Sequence, residues 1–204
     1  MKGRLIAVEG ADASGKSTQA RRLAESLGAK FTFQFGATSA GKIVREFLLD
    51  PATDSLDDRT EALLIIADKA QHVAEIVRPA LEAGRDVVTD RFTASTLAYQ
   101  GYGRGLDLAK LQTILRFATG GIEPDLNLLL DVPAEVASRR LGSSVDRFEG
   151  AGRGFLDRVR AGYLAMAAAD PARWTVVDAE GSVDEVSARV LAAVRDRLGL
   201  CEML

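Results

Sequence analysis

Residues 10–18 read Gly10-Ala11-Asp12-Ala13-Ser14-Gly15-Lys16-Ser17-Thr18, directly after the apolar run Leu5-Ile6-Ala7-Val8. Gly10 and Gly15 permit backbone conformations in which successive loop N–H groups converge on one anion. A helix beginning near Lys16 adds the positive end of its dipole. Lys16 would set a full charge against nucleotide phosphates, and the Ser17 hydroxyl could ligand Mg²⁺. Such a metal site calls for a carboxylate at the end of a neighbouring strand. The run "DVVTDR" supplies Asp90 there, followed at once by Arg91.

That following residue narrows the chemistry. An acid after the strand-end Asp would suit activation of water, whereas a cation suits an anionic acceptor. No Asn-Lys-x-Asp segment is present to read a guanine base. A phosphate acceptor needs no general base, because its second pKa of about 6 leaves it largely dianionic at neutral pH. The work is then to hold two anions in line against their repulsion, which calls for arginines and Mg²⁺ rather than histidine. Arg139, Arg140, Arg147 and Arg153 surround a Gly-rich stretch at 142–154, read as a short mobile lid able to bring an arginine over the transferring group.

The elements that must position these residues follow from patterning. Five short apolar runs, at 5–8, 31–35, 86–90, 126–132 and 174–179, alternate with helical periodicity at 16–28, 57–83, 107–119, 133–142, 153–168 and 183–198. Nearly continuous apolar strands alternating with helices predict an α/β fold, a five-stranded parallel sheet with helices on both faces. Pro79 is expected to kink the long helix, whose apolar residues occupy more than one face. The stretch 101–107 reads as a mobile loop, 200–204 as a frayed tail, and His72 as a partly exposed helix residue. Residues 1–199 are expected to form one domain.

With 204 residues, 47% of them hydrophobic, the chain can bury a sizeable core. A net charge of −3 argues against nucleic acid or an acidic membrane as a main partner. One histidine and one cysteine, Cys201, support neither a zinc site, nor a Ser-His-Asp triad, nor an internal disulfide. The opening "MKGRLIAVEG" reads as the start of the fold without a signal peptide, and the expected setting is the cytoplasm.

Taken in order, "VEGADASGKSTQ", "VVTDRFTASTLAYQGYGRG", "PDLNLLLDVPAEVASRRL", "DRFE" and "RVRAGYLAMAAADP" resemble the thymidylate kinase family over residues 3–195. The resemblance implies a three-layer P-loop NTPase fold, ATP–Mg²⁺ as donor, dTMP as acceptor, and a homodimer. It implies that residues 10–18 hold the ATP phosphates, that Ser17 and Asp90 serve the metal, and that Lys16, Asp90, Arg91 and Arg147 form the catalytic set. It also implies that Asp12 lies near the acceptor sugar, that Arg91 meets the acceptor phosphate, and that Ser95, Thr96, Tyr99 and Gln100 read base and sugar.

Two departures bear on the acceptor. The family carries an arginine-containing loop after the second strand, where this chain has "FTFQFGATSAGK" with no arginine before Lys42. The family's Phe-x-x-x-Arg on the long helix is replaced by Ile65 and Lys69, which forgoes ring stacking and a planar donor fork. Phe33 or Phe35 is the candidate replacement ring. Kinases for a related nucleotide or another small phosphorylated acceptor, and a nucleotide-binding protein with little catalysis, stand as alternatives.

Overall fold

The structure is a computed structural model that describes residues 2–50, 53, 56–141 and 153–199. Strands β1 (Leu5–Glu9), β2 (Lys30–Phe33), β3 (Val87–Asp90), β4 (Leu126–Asp131) and β5 (Trp174–Asp178) form one parallel sheet in the order β2-β3-β1-β4-β5. Alternate strand residues feed opposite faces. On one face Ile6, Val8, Val88, Leu128 and Leu130 pack on Leu23 and Ala24 of α1 (Lys16–Leu27). Val186, Val190 and Val194 of α9 (Val183–Leu198) complete that core. On the other face Leu5, Ala7 and Val87 meet Val73, Val77 and Leu81, while Leu129 meets Tyr99 and the Phe155, Val159 and Tyr163 row of α8 (Arg153–Ala169). The predicted three layers are therefore present.

The long helix runs as α3 (Asp58–His72), a wide π-type turn at Val73–Val77, and α4 (Arg78–Glu82). Pro79 follows the wide turn directly, so the proline with no N–H sits where the hydrogen-bond ladder is already interrupted. Helices α6 (Leu108–Thr119), α7 (Ala134–Leu141) and α9 fall within a residue or two of the reading, and Ser182 caps α9 in a reciprocal arrangement with Glu185.

Four expectations need correction. The second strand ends at Phe33 rather than 35, so Phe35 turns out of the sheet. Helix α2 (Ser39–Leu49), capped by Thr38, was not anticipated, and neither was α5 (Thr93–Thr96), which continues as a wide helical turn through Leu97–Gly103. That turn removes 101–103 from the mobile loop expected at 101–107. Gly101 and Gly103 are buried, and a Cβ on Gly103 would stand 2.6 Å from the Phe155 ring. These glycines serve close packing, not flexibility. Finally, His72 is fully buried, with Nε2 2.7 Å from Thr32 Oγ1. The lid at 142–152, with Arg147, and the tail at 200–204 lie outside the described residues.

Burial, and then the Lys69 charge, pull the His72 imidazole down to about 3. The folded chain keeps it neutral while the unfolded chain takes up a proton below its ordinary value of about 6.5. Its stabilisation is therefore full above that value and declines as pH falls. Between pH 7 and 5 the wild type is expected to lose about 2 kcal/mol more than His72→Gln, measured by urea unfolding at each pH.

Candidate active site

Strand β1 delivers the chain into the Gly10–Thr18 loop. At Gly10 φ is +146°, and a Cβ there would stand 2.5 Å from the Leu130 carbonyl oxygen, so the loop tolerates no side chain where it leaves the sheet. Gly15, at φ +89°, begins α1, and no side chain caps the helix. Its first N–H groups stay available to an anion.

Lys16 is 6% exposed, and its Nζ donates to Ala11 O at 2.6 Å and stands 3.9 Å from Asp12 Oδ1. Burial, then the Arg91 charge, lower its pKa to about 8. A polyphosphate arriving beside it restores the preference for the ammonium form. Ser17 Oγ donates to Asp90 Oδ2, and Asp90 Oδ1 is buried with no hydrogen-bond partner. A hydroxyl beside an unsatisfied carboxylate oxygen is a hard-oxygen pair, and it fits Mg²⁺ that keeps waters and phosphate oxygens for its other positions. Among the described residues no group of three or more His, Cys, Asp or Glu is placed to hold a metal, so a protein cage of the zinc kind is not built here.

Arg91 leaves the end of β3 with φ +68°, a conformation that costs a side-chain-bearing residue about 1–3 kcal/mol. The strain is held by Arg91 N–H donating to Val8 O at 2.9 Å and by Phe92 N–H donating to buried Glu9 Oε1 at 2.8 Å. The guanidinium is spread over five partners. Nη1 donates to Gly10 O (3.1 Å), Ser95 Oγ (3.1 Å) and Tyr163 OH (3.2 Å), while Nη2 donates to Asp12 and to Tyr99 OH (3.2 Å). Burial pushes Asp12 up, but Arg91 and then Lys16 outweigh it and hold the carboxyl below its usual range. Burial raises both phenols, so Tyr99 and Tyr163 stay neutral, accepting from the cation while they donate to Asp12 and Glu9.

Two cavities flank this arginine. One, with about 1080 Å³ of open space, runs along Gly15, Lys16, Ser17, Thr18 and Asp90. The other, with about 690 Å³, is walled by Phe35, Ile65, Lys69, Ser95, Thr96, Tyr99 and Gln100. Asp12, Gln34, Arg45 and Arg91 line both, so the cavities meet at these four residues.

The placements of the expected residues differ in detail. Gly10, Ala11, Ala13 and Ser14 shape the loop, and Arg140 of α7 reaches over it, donating to Ala13 O at 3.4 Å and Ala179 O at 3.1 Å. Ser95 is engaged with Glu9 Oε2 at 2.6 Å. Thr96 Oγ1 is buried without a partner, and Gln100 Nε2 donates to Glu61 at 3.0 Å. Phe33 is not in the second cavity: it lines the first, stacked against Phe31 at 6.5 Å on the same face of β2, and because the strand ends at Phe33 the pleat does not hold Phe35 to that face. Phe35 takes the ring position instead. Lys69 lines the cavity, but its ammonium donates to Gln34 Oε1 and to Phe92 O at 3.1 Å. Burial is the main cause that lowers its pKa to about 8.

Sequence reasoning missed Arg45 and Tyr163. Arg45 lies on α2, the helix that was not anticipated. Its guanidinium stands 5.0 Å over the Phe35 ring and donates to Phe35 O at 3.0 Å, bringing an arginine to the junction that the β2 loop lacks. Tyr163 sits within a helical pattern that reads as core, and only its hydroxyl betrays a polar role.

The thymidylate kinase family model matches residues 8–190. The chain belongs to the thymidylate kinase family. A thymidylate kinase of Solidesulfovibrio magneticus is 46% identical over 93% of this chain and 97% of its own length. One from Pelotomaculum thermopropionicum is 45% identical over 97% and 95%. The crystal structure of thymidylate kinase from Ehrlichia chaffeensis superposes with a TM-score of 0.80 at 28% identity, covering 95% of this chain and all of that one. Membership in the thymidylate kinase family agrees with two joined cavities, one of them lined by residues of the Gly10–Thr18 loop.

Lys16→Ala is expected to lower ATP-dependent kcat by about 10²–10³-fold in a coupled ADP-release assay, with the circular dichroism spectrum unchanged. Unaltered turnover would remove Lys16 from the machinery.

Proposed function

We propose that this chain transfers the γ-phosphoryl group of ATP to dTMP, giving dTDP and ADP. The supporting observation is Arg91, standing in the wall common to both cavities with Lys16 and Ser17 on one side and Tyr99, Thr96 and Gln100 on the other. The Gly10–Thr18 loop and Lys16 hold the donor phosphates. Ser17 and Asp90 hold Mg²⁺, which neutralises charge on the donor phosphates when bound. Arg91, with Arg45 beside it, holds the acceptor phosphate against its natural repulsion from the donor. An acceptor phosphate oxygen bonds to the γ-phosphorus as the bond to the bridging oxygen of ADP breaks. No proton need be removed first, because the acceptor is already dianionic.

Asp12 is placed for the acceptor sugar, and Ser95, Thr96, Tyr99, Gln100, Ile65 and Lys69 for the nucleoside. The replacements at Ile65 and Lys69 favour weighing a second reading, a kinase for a related nucleoside monophosphate. ATP–Mg²⁺ turnover over dTMP, dUMP, dCMP, dGMP and AMP decides between them. The expected result is fastest turnover with dTMP; another preferred acceptor would select the second reading, and no turnover with any would leave a binding protein.

The proposed functional unit is residues 1–199 as one domain, with the lid at 142–154 closing over the donor. Arg147 is the assigned lid arginine. Arg147→Ala is expected to lower kcat by about 10³-fold or more while the ATP dissociation constant changes little, measured by turnover and by equilibrium titration. A homodimer is also proposed. Among the described residues, five of the exposed large apolar side chains lie on α2, α3 and α6, helices that pack on one another in that order: Ile43 and Phe47 on α2, Leu63 on α3, and Ile114 and Phe117 on α6. Phe117 is 88% exposed, and a second copy of this chain would cover such a face. Among the described residues no helix is long and apolar enough to cross a membrane. The proposed setting is the cytoplasm, which suits a chain with a single cysteine.

A further inference from the structure

Gln34 has no role in the chemistry described above, yet it lines both cavities while being 7% exposed. Its amide is the unusual feature. Lys69 Nζ donates to Gln34 Oε1, and Gln34 Nε2 is buried with no hydrogen-bond partner. The assignment of oxygen and nitrogen follows from chemistry: an ammonium carries only donors, so the atom facing it must be the carbonyl oxygen. Lys69 therefore fixes the amide, and what remains is a water-excluded N–H₂ group. An unsatisfied buried donor costs free energy that a native chain retains only when something satisfies it.

Lys69 lies on the nucleoside side, since it lines only the cavity with Ile65, Thr96 and Gln100. A donor pair from Lys69 and Gln34 suits one kind of group there, a carbonyl oxygen. Gln100 lines the same cavity and completes the pattern. Its Nε2 is given to Glu61, which leaves its Oε1 as an acceptor. Two donors beside one acceptor match the adjacent carbonyl and ring N–H of a 4-oxopyrimidine. They mismatch a 4-aminopyrimidine, which presents a donor and a bare ring nitrogen at those two places.

We propose that Gln34 is a specificity-determining residue, its Nε2 donating to the 4-oxo group of the acceptor base while Lys69 anchors the amide. This rests on the reading of the second cavity as the acceptor nucleotide site. It also explains the replacement of an arginine fork at position 69: Lys69 and Gln34 together present the donors that one guanidinium would present alone.

The test is Gln34→Glu, which keeps an oxygen for Lys69 and replaces the free donor by an acceptor. In the ATP–Mg²⁺ assay with dTMP and dCMP, kcat/KM for dTMP is expected to fall about 10- to 100-fold. The dTMP-to-dCMP ratio should fall with it, and KM for ATP should be unchanged. Adding Lys69→Arg to Gln34→Glu supplies a second donor from the fork and is expected to recover most of the dTMP rate. Equal losses with dTMP and dCMP, or no loss with either, would overturn the proposal while leaving the kinase reading standing. A wild type inactive with dTMP would overturn that reading itself. Thermal melting of each variant separates lost recognition from lost folding; a destabilised Gln34→Glu that, once held folded by ATP and dTMP, has lost the preference for dTMP over dCMP supports the proposal, and one that keeps the preference overturns it.

Discussion

The placement of Arg91 governs the rest of the site. Its guanidinium is shared among a carboxylate, two neutral phenols, a serine hydroxyl and the carbonyl of Gly10, the first residue of the Gly10–Thr18 loop. That last bond ties the cation at the junction of the two cavities to the loop that lines the first. Only Asp12 among these partners carries charge, so a dianionic acceptor has one ion pair to compete with rather than a closed salt-bridge network. Exchange of Asp12 for phosphate would release a carboxylate into the space where the two cavities meet. Glu9 lies beneath, fully buried, and accepts from Phe92 N–H, Ser95 and Tyr163. It holds the strained turn in place and so sets the angle at which Arg91 leaves the sheet.

The same constraint explains a polar interior that would otherwise be costly. Glu61 is fully buried, yet it is met by Arg104 at 3.1 Å and by Gln100 at 3.0 Å. That pair fixes the orientation of the Gln100 amide. Arg104 in turn stands 5.0 Å over the Phe155 ring, which packs against Tyr99. The wide helical turn Leu97–Gly103 is thereby held from both ends, and Tyr99 and Gln100 reach the cavity from a braced segment. The molecule is acidic overall, yet the junction presents Arg45 and Arg91, with Lys16 next to it in the first cavity. Recognition of two polyanions thus depends on local arrangement, not on net charge.

Much of this was legible in the residues. Buried parallel strands read as continuous apolar runs, and the loop at 10–18 carries a pattern that only one backbone geometry satisfies. Depth was not legible. His72 falls on a helical face by spacing, and spacing cannot say that β2 covers that face. Gly101 and Gly103 look like loop residues because glycine most often marks freedom; here it marks helices too close for a Cβ. Helix α2 was hidden by Ile43 and Phe47, which point outward and blur its periodicity. With α2 hidden, Arg45 was hidden too, so the residues could not show whether the arginine absent from the β2 loop is supplied from elsewhere. Phe33 and Phe35 could not be told apart because the strand end decides which faces the acceptor, and the aromatic run continues two residues past it.

The two halves of the site rest on different supports, and this is why one could change without the other. Lys16, Ser17, Asp90 and Arg91 hang from the ends of β1 and β3, central strands whose register is fixed by pairing such as Val8 with Asp90. Moving any of them would cost sheet pairing. Ile65 and Lys69 sit on α3, and Phe35 and Gln34 follow the end of β2, the strand at the edge of the sheet. Residues there can be exchanged in sets without shifting the phosphates. A buried ammonium at position 69 requires an oxygen opposite it, and Gln34 provides one while remaining neutral. A carboxylate at position 34 would satisfy Lys69 more strongly but would present negative charge to a dianionic substrate already gathered among few cations. The pairing of lysine with glutamine thus keeps the cavity's charge low and leaves the Gln34 Nε2 donor without a partner beside it, a consequence of the electrostatics at the junction rather than of the fold.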